Sequence, residues 1–248
     1  MLTDHRKQLL LARLSAEGQI IASAIAAELG ISEDTIRRDL RELAADGRVT
    51  RVHGGALPAS PAVAPLDQRR SIATPEKIRL AQAALPLIQP GQTIFIDGGT
   101  THAELVRALP ATISATIVTH SPTIAAALEP FRQVEVILIG GRLFRHSMVS
   151  VGTDAADAIR RLRFDLLFLG ITGLHPDAGL TTGDYEEAAI KRTLVAQAAD
   201  CVVLATADKL GVVSPHQLAS ASALTRLIVS ADHAPAARAT YAADIIAA

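Results

Sequence analysis

Six short apolar runs recur between residues 93 and 230, and helical patterns separate several of them. The runs are TIFID (93–97), ATIVT (115–119), VEVILI (134–139), DLLFLG (165–170), CVVLAT (201–206) and TRLIVS (225–230). The helical patterns cover 77–87, 101–109, 121–128, 154–162 and 186–199. Such alternation is typical of a mostly parallel α/β sheet whose strands are buried on both faces. The sequence therefore predicts a ligand site beyond the carboxyl ends of these strands.

A proline-rich stretch separates this region from the beginning of the chain. LPASPAVAP places three prolines among small residues that sustain neither helix nor strand. A chain of 248 residues is long enough for a small domain joined to a medium one. We therefore expect a first domain at 1–57, a linker at 58–75 and a second domain at 76–248.

The first domain has the pattern of three helices and a hairpin. Helices are predicted over 3–17, ending at Gly18, and over 23–29, ending at Gly30. A third helix follows the N-cap Ser32 and ends at Gly47. It buries Ile36, Leu40 and Leu43, which share one face. The segment RVTRVHGG (48–55) then predicts a short strand and turn, the wing of a winged helix-turn-helix.

The opposite face of the third helix carries three arginines, as expected of a recognition helix in the major groove. Arginine suits guanine edges and phosphates, and hydroxyls at a helix start reach phosphates. The predicted DNA-binding residues are Ser32, Thr35, Arg37, Arg38, Arg41, Arg48, Arg51 and His53.

Charge counts leave another interpretation open. Five arginines face five acidic residues between Ser32 and His53, so Arg38 could simply pair with Glu42 or Asp34. The chain as a whole has a formal net charge of -1, which excludes a globally basic nucleic-acid coat. A single copy would bind DNA weakly, and we expect a homo-oligomer, a dimer or tetramer, on repeated half-sites.

The segment ELGISEDTIRRDLRELAADGRVTRVHGGA (28–56) resembles the helix-turn-helix signature of the DeoR family of bacterial regulators of sugar metabolism. The serine, the TIRRDL block and the closing Arg-x-His-Gly-Gly-Ala stand in the family's order and spacing. The resemblance implies double-stranded operator DNA as a partner, with Arg37 and Arg38 as the best candidates for contact.

A glycine-rich turn follows the first predicted strand of the second domain. DGGTTH (97–102) opens a helix whose free N–H groups would attract an anion. Thr101 and Glu104 could instead form an ordinary capping box. Other polar turns follow later strands and should converge on the same crevice. They are Gly140–Gly141 with Arg142, Arg145 and His146, then Gly170–Gly173, and Asp208–Gly211.

The segments IDGGTT, LIGG, LGITGL, GLTTGDYEEAAIKR and KLG resemble the family's sensor domain, which is similar in fold to ribose-5-phosphate isomerase. The resemblance implies a phosphorylated sugar effector held by Asp97, Gly99, Thr100, Thr101, Tyr185, Glu187, Lys191 and Lys209. The convergence of the same turns adds Gly98, Gly141 and Asp208. Thr206 stands where the family often has Asp, and His120 replaces a common Asn, so a ligand contact could differ there.

The leading hypothesis is a repressor of a sugar-metabolism operon, controlled by a phosphorylated sugar. The alternative is an isomerase-like enzyme in which Asp97, Glu187 or Asp208 serves as acid or base. Fold alone does not decide between them, but a helix-turn-helix has no use in such an enzyme.

Several classes of protein do not fit the sequence. Cys201 is the only cysteine, which excludes an intrachain disulfide. The eight histidines are scattered with no HExxH spacing, so we expect neither a metal site nor a cofactor. No apolar run approaches the roughly 18 residues of a membrane span, and we expect a cytoplasmic protein without membrane association.

Overall fold

The computed structural model describes residues 3–17, 19–46, 48–52, 54–58 and 66–248. Within these ranges the chain forms an N-terminal winged helix-turn-helix and a C-terminal α/β domain built on a parallel sheet, as predicted. Some predicted features lie outside the described residues: the helix ends at Gly18 and Gly47, the wing residue His53 and most of the proline-rich stretch, 59–65.

The N-terminal domain contains the expected helices and wing. Its elements are α1 (Thr3–Glu17), β1 (Ile20–Ile21), α2 (Ala22–Leu29), α3 (Glu33–Ala45), β2 (Val49–Val52) and β3 (Gly55–Pro58). Gly30 adopts a φ of 63° and ends α2, because its missing Cβ permits this left-handed conformation. The strands form an antiparallel sheet in the order β1-β3-β2, of which β1 was not predicted.

The core of this domain includes the predicted buried face of α3. Ile36, Leu40 and Leu43 are buried against apolar side chains of α1 and α2. Asp39 is also fully buried on α3, where its carboxylate accepts a hydrogen bond from Arg6 Nη2 of α1 at 3.0 Å. This buried ion pair joins α1 to α3, and the apolar pattern of the sequence does not reveal it.

The C-terminal domain begins with two helices. A short α4 (Leu66–Arg69) precedes α5 (Thr74–Ala84), and both begin inside the stretch predicted as linker. The remaining elements are β4 (Thr93–Ile96), α6 (Thr100–Ala108), β5 (Ala115–Thr119), α7 (Pro122–Ala127), β6 (Val134–Leu138), β7 (Arg142–Phe144), β8 (Val149–Val151), α8 (Thr153–Arg160), β9 (Phe164–Phe168), β10 (Gly173–His175), β11 (Gly179–Thr182), α9 (Tyr185–Gln197), β12 (Ala198–Leu204), β13 (His216–Ala219), β14 (Arg226–Val229), α10 (Ala234–Thr240) and β15 (Asp244–Ala247).

The main sheet in the described part of the chain has seven parallel strands in the order β15-β14-β12-β9-β4-β5-β6. Six of them are the predicted apolar runs, and β15 was not predicted. Alternate residues of each strand enter different core clusters: Phe95 and Leu167 lie on one face, Ile94 and Phe168 on the other. This alternation follows from the two-residue period of a β-strand.

The strand β6 departs from the prediction that every apolar run is buried on both faces. It is an edge strand, and the side chains of Val136 and Leu138 are 39% and 49% exposed. An apolar sequence run alone does not distinguish an edge strand from a central one.

Two small antiparallel sheets stand beside the main sheet, neither of them predicted. One pairs β7 with β8, and the other has the order β10-β11-β13. Among the described residues, no helix is sufficiently long and apolar to cross a membrane.

Candidate DNA-binding surface and sensor cavity

The start of α3 is held by two hydroxyl groups. Ser32 is the N-cap, and its Oγ accepts a hydrogen bond from the Thr35 backbone N–H at 3.3 Å. The same Oγ lies 2.8 Å from the Thr35 hydroxyl. The cap predicted at Ser32 is therefore confirmed, and it orients the first turn of α3.

The arginines of α3 and of the wing are all exposed. Arg37 donates to Glu33 Oε1 at 2.7 Å, a surface pair that contributes only about 0.2–0.5 kcal/mol. Four other exposed arginines have side chains that form no hydrogen bond or ion pair with any described residue: Arg38, Arg41, Arg48 and Arg51. Their guanidinium groups are consequently available to an external anion.

The alternative pairing of Arg38 with Glu42 or Asp34 is not formed. Glu42 instead forms an ion pair with Lys7 of α1, with 2.7 Å between Glu42 Oε2 and Lys7 Nζ. Arg37 of α3 and Arg51 of β2 line one cleft of about 150 Å³ between the helix and the wing. Helix and wing thus present basic side chains to a shared groove.

The C-terminal domain contains a larger cavity of about 250 Å³ at the carboxyl end of the parallel sheet. The turns after β4, β9 and β12 line it, together with the start of α9 and the α4–α5 segment. Its lining residues are Arg69, Ile72, Lys77, Gly98, Gly99, Thr100, Thr101, His102, Phe144, His146, Ser147, Gly170, Ile171, Thr172, Gly183, Asp184, Glu187, Lys191, Leu204, Thr206, Asp208 and Lys209.

Asp97 lies fully buried beneath this cavity at the end of β4. Its Oδ1 accepts hydrogen bonds from the Gly98 N–H at 2.6 Å and from His120 Nε2 at 2.7 Å. Its Oδ2 accepts from the Gly170 N–H at 2.8 Å and lies 3.1 Å from Lys191 Nζ. Although burial favours the neutral acid, the Lys191 charge and the His120 hydrogen bond hold the pKa of Asp97 well below its usual range.

His120 is part of this support and not of the cavity wall. Its ring is fully buried, with Nδ1 2.9 Å from the Ser150 carbonyl oxygen and Nε2 on Asp97. His120 is not among the residues that line the cavity, and both of its ring nitrogens are engaged within the protein, so the structure does not support a ligand contact by His120.

Lys191 uses its whole hydrogen-bonding capacity within the protein. Its Nζ donates to the Gly170 carbonyl at 2.6 Å and lies 3.1 Å from Asp97 Oδ2 and 3.2 Å from Glu187 Oε1. Burial opposes the charged form, but the two carboxylates raise the pKa of Lys191. An ammonium group has three donors, so little remains for a ligand.

The first turn of α6 faces the cavity with free amide groups. Gly99 is the N-cap and no side chain caps the helix, while Glu104 pairs with Arg107 at 2.5 Å. The capping box suggested for Thr101 and Glu104 is therefore not formed. Gly99 has a φ of +128°, a conformation that favours glycine, and a Cβ on Gly98 would lie 2.4 Å from Cγ1 of the buried Val149.

His102 contributes a neutral ring to the cavity. Its Nδ1 donates to the Asp97 carbonyl oxygen at 2.9 Å, and burial lowers its pKa to about 4. With Nδ1 as the donor, Nε2 is left as a hydrogen-bond acceptor.

Most of the residues predicted for the effector come together at this cavity. Those on the lining are Gly98, Gly99, Thr100, Thr101, Glu187, Lys191, Asp208 and Lys209. Asp97 lies behind it, and Gly141 is not on the lining. Tyr185 is 68% exposed, packs edge-on against His216 and is not on the lining.

Two cavity cations, Arg69 and Lys77, were missed by the sequence reasoning. Both belong to the α4–α5 segment, and Arg69 falls inside the predicted linker. The spacing of these basic residues matches an ordinary solvated helix, so no sequence signal pointed to them. Asp184, which caps α9 by accepting from the Glu187 N–H at 2.9 Å, was also missed.

Comparison with known proteins matches two family models to the chain. The DeoR-like helix-turn-helix domain matches residues 6–61, and the DeoR C terminal sensor domain matches residues 72–231.

In the described residues, no cluster of three His, Cys, Asp or Glu side chains could hold a metal ion.

Curated relatives match over most of their length. The chain is 37% identical to the HTH-type transcriptional regulator GlpR of Haloferax volcanii, covering 89% of this chain and 87% of the relative. It is 33% identical to the glycerol-3-phosphate regulon repressor of Escherichia coli K12, covering 79% and 78%. It is 32% identical to the transcriptional repressor CsqR of the same strain, covering 90% and 86%.

Solved structures match more weakly. Ribose 5-phosphate isomerase A of Methanocaldococcus jannaschii is 16% identical with a TM-score of 0.40, covering 54% of this chain and 53% of that one. At this level the likeness carries no argument about activity.

Proposed function

The chain belongs to the DeoR family of transcriptional regulators, and we propose that its sensor cavity binds a phosphorylated sugar or polyol. Binding of this effector changes the affinity of α3 and the wing for operator DNA. The observation that carries the proposal is the 250 Å³ cavity with basic side chains and free helix amides on its wall. The isomerase-like alternative loses support, since the relatives described above are named as regulators and repressors.

We assign DNA contact to the exposed arginines of the N-terminal domain. Arg38 and Arg41 on α3 and Arg48 and Arg51 on the wing are unpaired within the described residues, so binding DNA breaks no internal interaction. Arg37 exchanges its weak pair with Glu33 for a base or phosphate. Since acidic residues balance these arginines in number, two or more copies of the chain are needed for useful affinity.

We assign the effector to the cavity of the C-terminal domain. The cavity size suits a small metabolite better than a dinucleotide. Asp208, Glu187 and neutral His102 offer acceptors for hydroxyl groups, whereas basic side chains and the first turn of α6 suit a phosphate. Because one relative is a glycerol-3-phosphate regulon repressor, phosphorylated three-carbon polyols belong in the test with sugar phosphates.

Coupling between the two domains need not be strong. An effector that prefers the released state by about 1–3 kcal/mol changes DNA affinity by roughly 5- to 150-fold. We propose release from DNA on effector binding, in keeping with the repressor names of the relatives.

The test is a thermal unfolding panel of phosphorylated sugars and polyols, each beside its unphosphorylated parent. A true effector at 100 times its Kd should stabilise the protein by about 2.7 kcal/mol, whereas its parent should not. The active compound is then added to the protein bound to a duplex selected from random sequence, and fluorescence anisotropy should report release. The proposal is overturned if no phosphorylated compound stabilises the chain, or if a stabilising compound does not release the DNA.

A further inference from the structure

Arg69 has two buried side-chain donors that no residue in the described part of the chain satisfies. Its Nε and Nη2 atoms are shielded from solvent and have no hydrogen-bond partner there, although the side chain lines the cavity. Burial lowers the pKa of this guanidinium, with partial compensation from the more distant charges of Glu187 and Asp97. An unpaired buried donor costs folding free energy, so its presence points to a partner supplied from outside.

The neighbouring basic groups are satisfied differently. Lys77 Nζ donates to the Arg69 carbonyl at 2.7 Å and also to the Ile72 carbonyl. Lys191 is saturated by two carboxylates and a carbonyl. The Lys209 Nζ makes no hydrogen bond or ion pair to a described residue, while the backbone N–H of Lys209 donates to the Thr206 carbonyl at 3.0 Å. Arg69 and Lys209 are therefore the two cavity cations whose side chains have no hydrogen bond or ion pair to a described residue.

Arg69 and Lys209 both line the same cavity. Burial and the charges of Arg69, Lys77 and Lys191 lower the pKa of Lys209 to about 8, even though Asp208 opposes the shift. Several like charges on the wall of one cavity favour an anion with more than one negative charge. A guanidinium fork and an ammonium group together suit the geometry of a phosphate, and the uncapped first turn of α6 adds free amides to the same wall.

We propose that Arg69 and Lys209 hold the phosphate group of the effector, and that the Arg69 contact transmits binding to the segment leading to the DNA-binding domain. The identity of the ligand as an effector rests on the proposed function. The phosphate subsite itself does not, because inorganic phosphate alone can probe it.

The position of Arg69 in the chain supports the second half of the proposal. It ends α4, the first described element after β3 of the DNA-binding domain. The Leu66 N–H donates to the His146 carbonyl at 3.1 Å, and Lys77 ties the backbone of Arg69 and Ile72 to α5. A phosphate bonded to Arg69 would add a third attachment between α4 and the rest of the C-terminal domain, and so restrain α4.

The experiment measures binding of inorganic phosphate to the full chain by ³¹P NMR titration and thermal unfolding. Arg69→Met is compared with Arg70→Met, a matched control because Arg70 is the next residue, exposed and absent from the cavity wall. We expect phosphate affinity to fall at least about tenfold in Arg69→Met, since a charge-assisted hydrogen bond is lost. Arg70→Met should bind like the wild type.

Two further readouts separate this role from a structural one. Without phosphate, Arg69→Met should unfold at the same temperature as the wild type or higher, since an unpaired buried charge is removed. Hydrogen–deuterium exchange over 66–77 should slow on adding phosphate to the wild type and remain unchanged in Arg69→Met. The phosphate subsite is overturned if Arg69→Met and the wild type bind phosphate with equal affinity, or if the wild type does not bind phosphate. The transmission is overturned if hydrogen–deuterium exchange over 66–77 in the wild type does not change on adding phosphate.

These outcomes are distinguishable from failure of the proposed function. If a phosphorylated sugar binds equally well to wild type and Arg69→Met, the effector class stands and the phosphate position is wrong. If inorganic phosphate binds through Arg69 but no phosphorylated sugar acts on DNA binding, the subsite stands and the effector assignment is wrong.

Discussion

The two domains of this chain use the same basic side chains in opposite surroundings. On α3 and the wing, the arginines are exposed and surrounded by solvent. In the sensor cavity, the cations Arg69, Lys77, Lys191 and Lys209 are partly or wholly withdrawn from water. Both sets are suited to phosphate groups, but an exposed set suits a polyanion and a buried set suits one small anion.

The surroundings decide how each set responds to conditions. Exposed charges are screened by salt, so the N-terminal surface binds DNA with an affinity that falls as ionic strength rises. Buried charges are screened much less, and burial changes their proton affinity instead. We therefore expect salt to control the DNA-binding surface and pH to control the cavity.

The largest expected effect comes from breaking the buried ion pair beneath the cavity. Asp97→Ala should destabilise the protein by about 3–5 kcal/mol, because Lys191 and His120 lose their shared acceptor in a buried site. Asp157→Ala is the control, since Asp157 pairs with Arg160 on the surface and its loss should cost at most about 1 kcal/mol. Urea unfolding measures both, and equal losses would show that the buried network is not structural.

A smaller effect, on binding alone, is expected for the exposed set. Arg38→Ala should weaken operator binding by about 1–3 kcal/mol, while the unfolding free energy stays within about 0.5 kcal/mol of wild type. If Arg38 contacts a phosphate, the slope of log affinity against log salt should decrease by about one. Arg132→Ala, at an exposed arginine of the sensor domain, serves as the control in anisotropy titrations. A loss of stability in Arg38→Ala would contradict the assignment of this arginine to DNA.

The smallest expected effect is the pH dependence of the cavity. The pKa of Lys209, lowered to about 8, means that its ammonium loses its proton as pH rises through 8. Phosphate binding needs that charge, so affinity should fall by about tenfold from pH 7 to 9. Lys209→Arg should flatten this profile, since arginine stays charged. Calorimetric titration with phosphate measures it, and a flat wild-type profile would exclude Lys209 from the subsite.

The stability of the unliganded protein should move with pH in the opposite direction. The unfolded chain keeps the proton on Lys209 up to the ordinary value of 10.5, whereas the folded protein loses it near 8. The unfolded state therefore binds more protons between these values, and the contribution of Lys209 to stability rises with pH there. Lys209→Arg should lack this rise in urea unfolding.

Local pattern was sufficient for much of the fold. The period of Ile36, Leu40 and Leu43 predicted which face of α3 is buried and left its arginines exposed. Six parallel strands and the glycine-rich turn after β4 were likewise predicted, because each depends on residues within a short segment. Family resemblance, which the family models confirm, added the function.

Long-range contacts were beyond local pattern. Asp97 meets His120, Gly170 and Lys191 only because β4 lies between β5 and β9 in the sheet. That order brings together residues 23 to 94 positions apart, and no periodicity encodes it. The sequence by itself determined the helices and wing of the first domain, six strands of the main sheet, the exposed arginines and the family. Only the tertiary structure decided that His120 supports Asp97, that Tyr185 does not line the cavity, and that Arg69 does, because these outcomes depend on how distant elements pack.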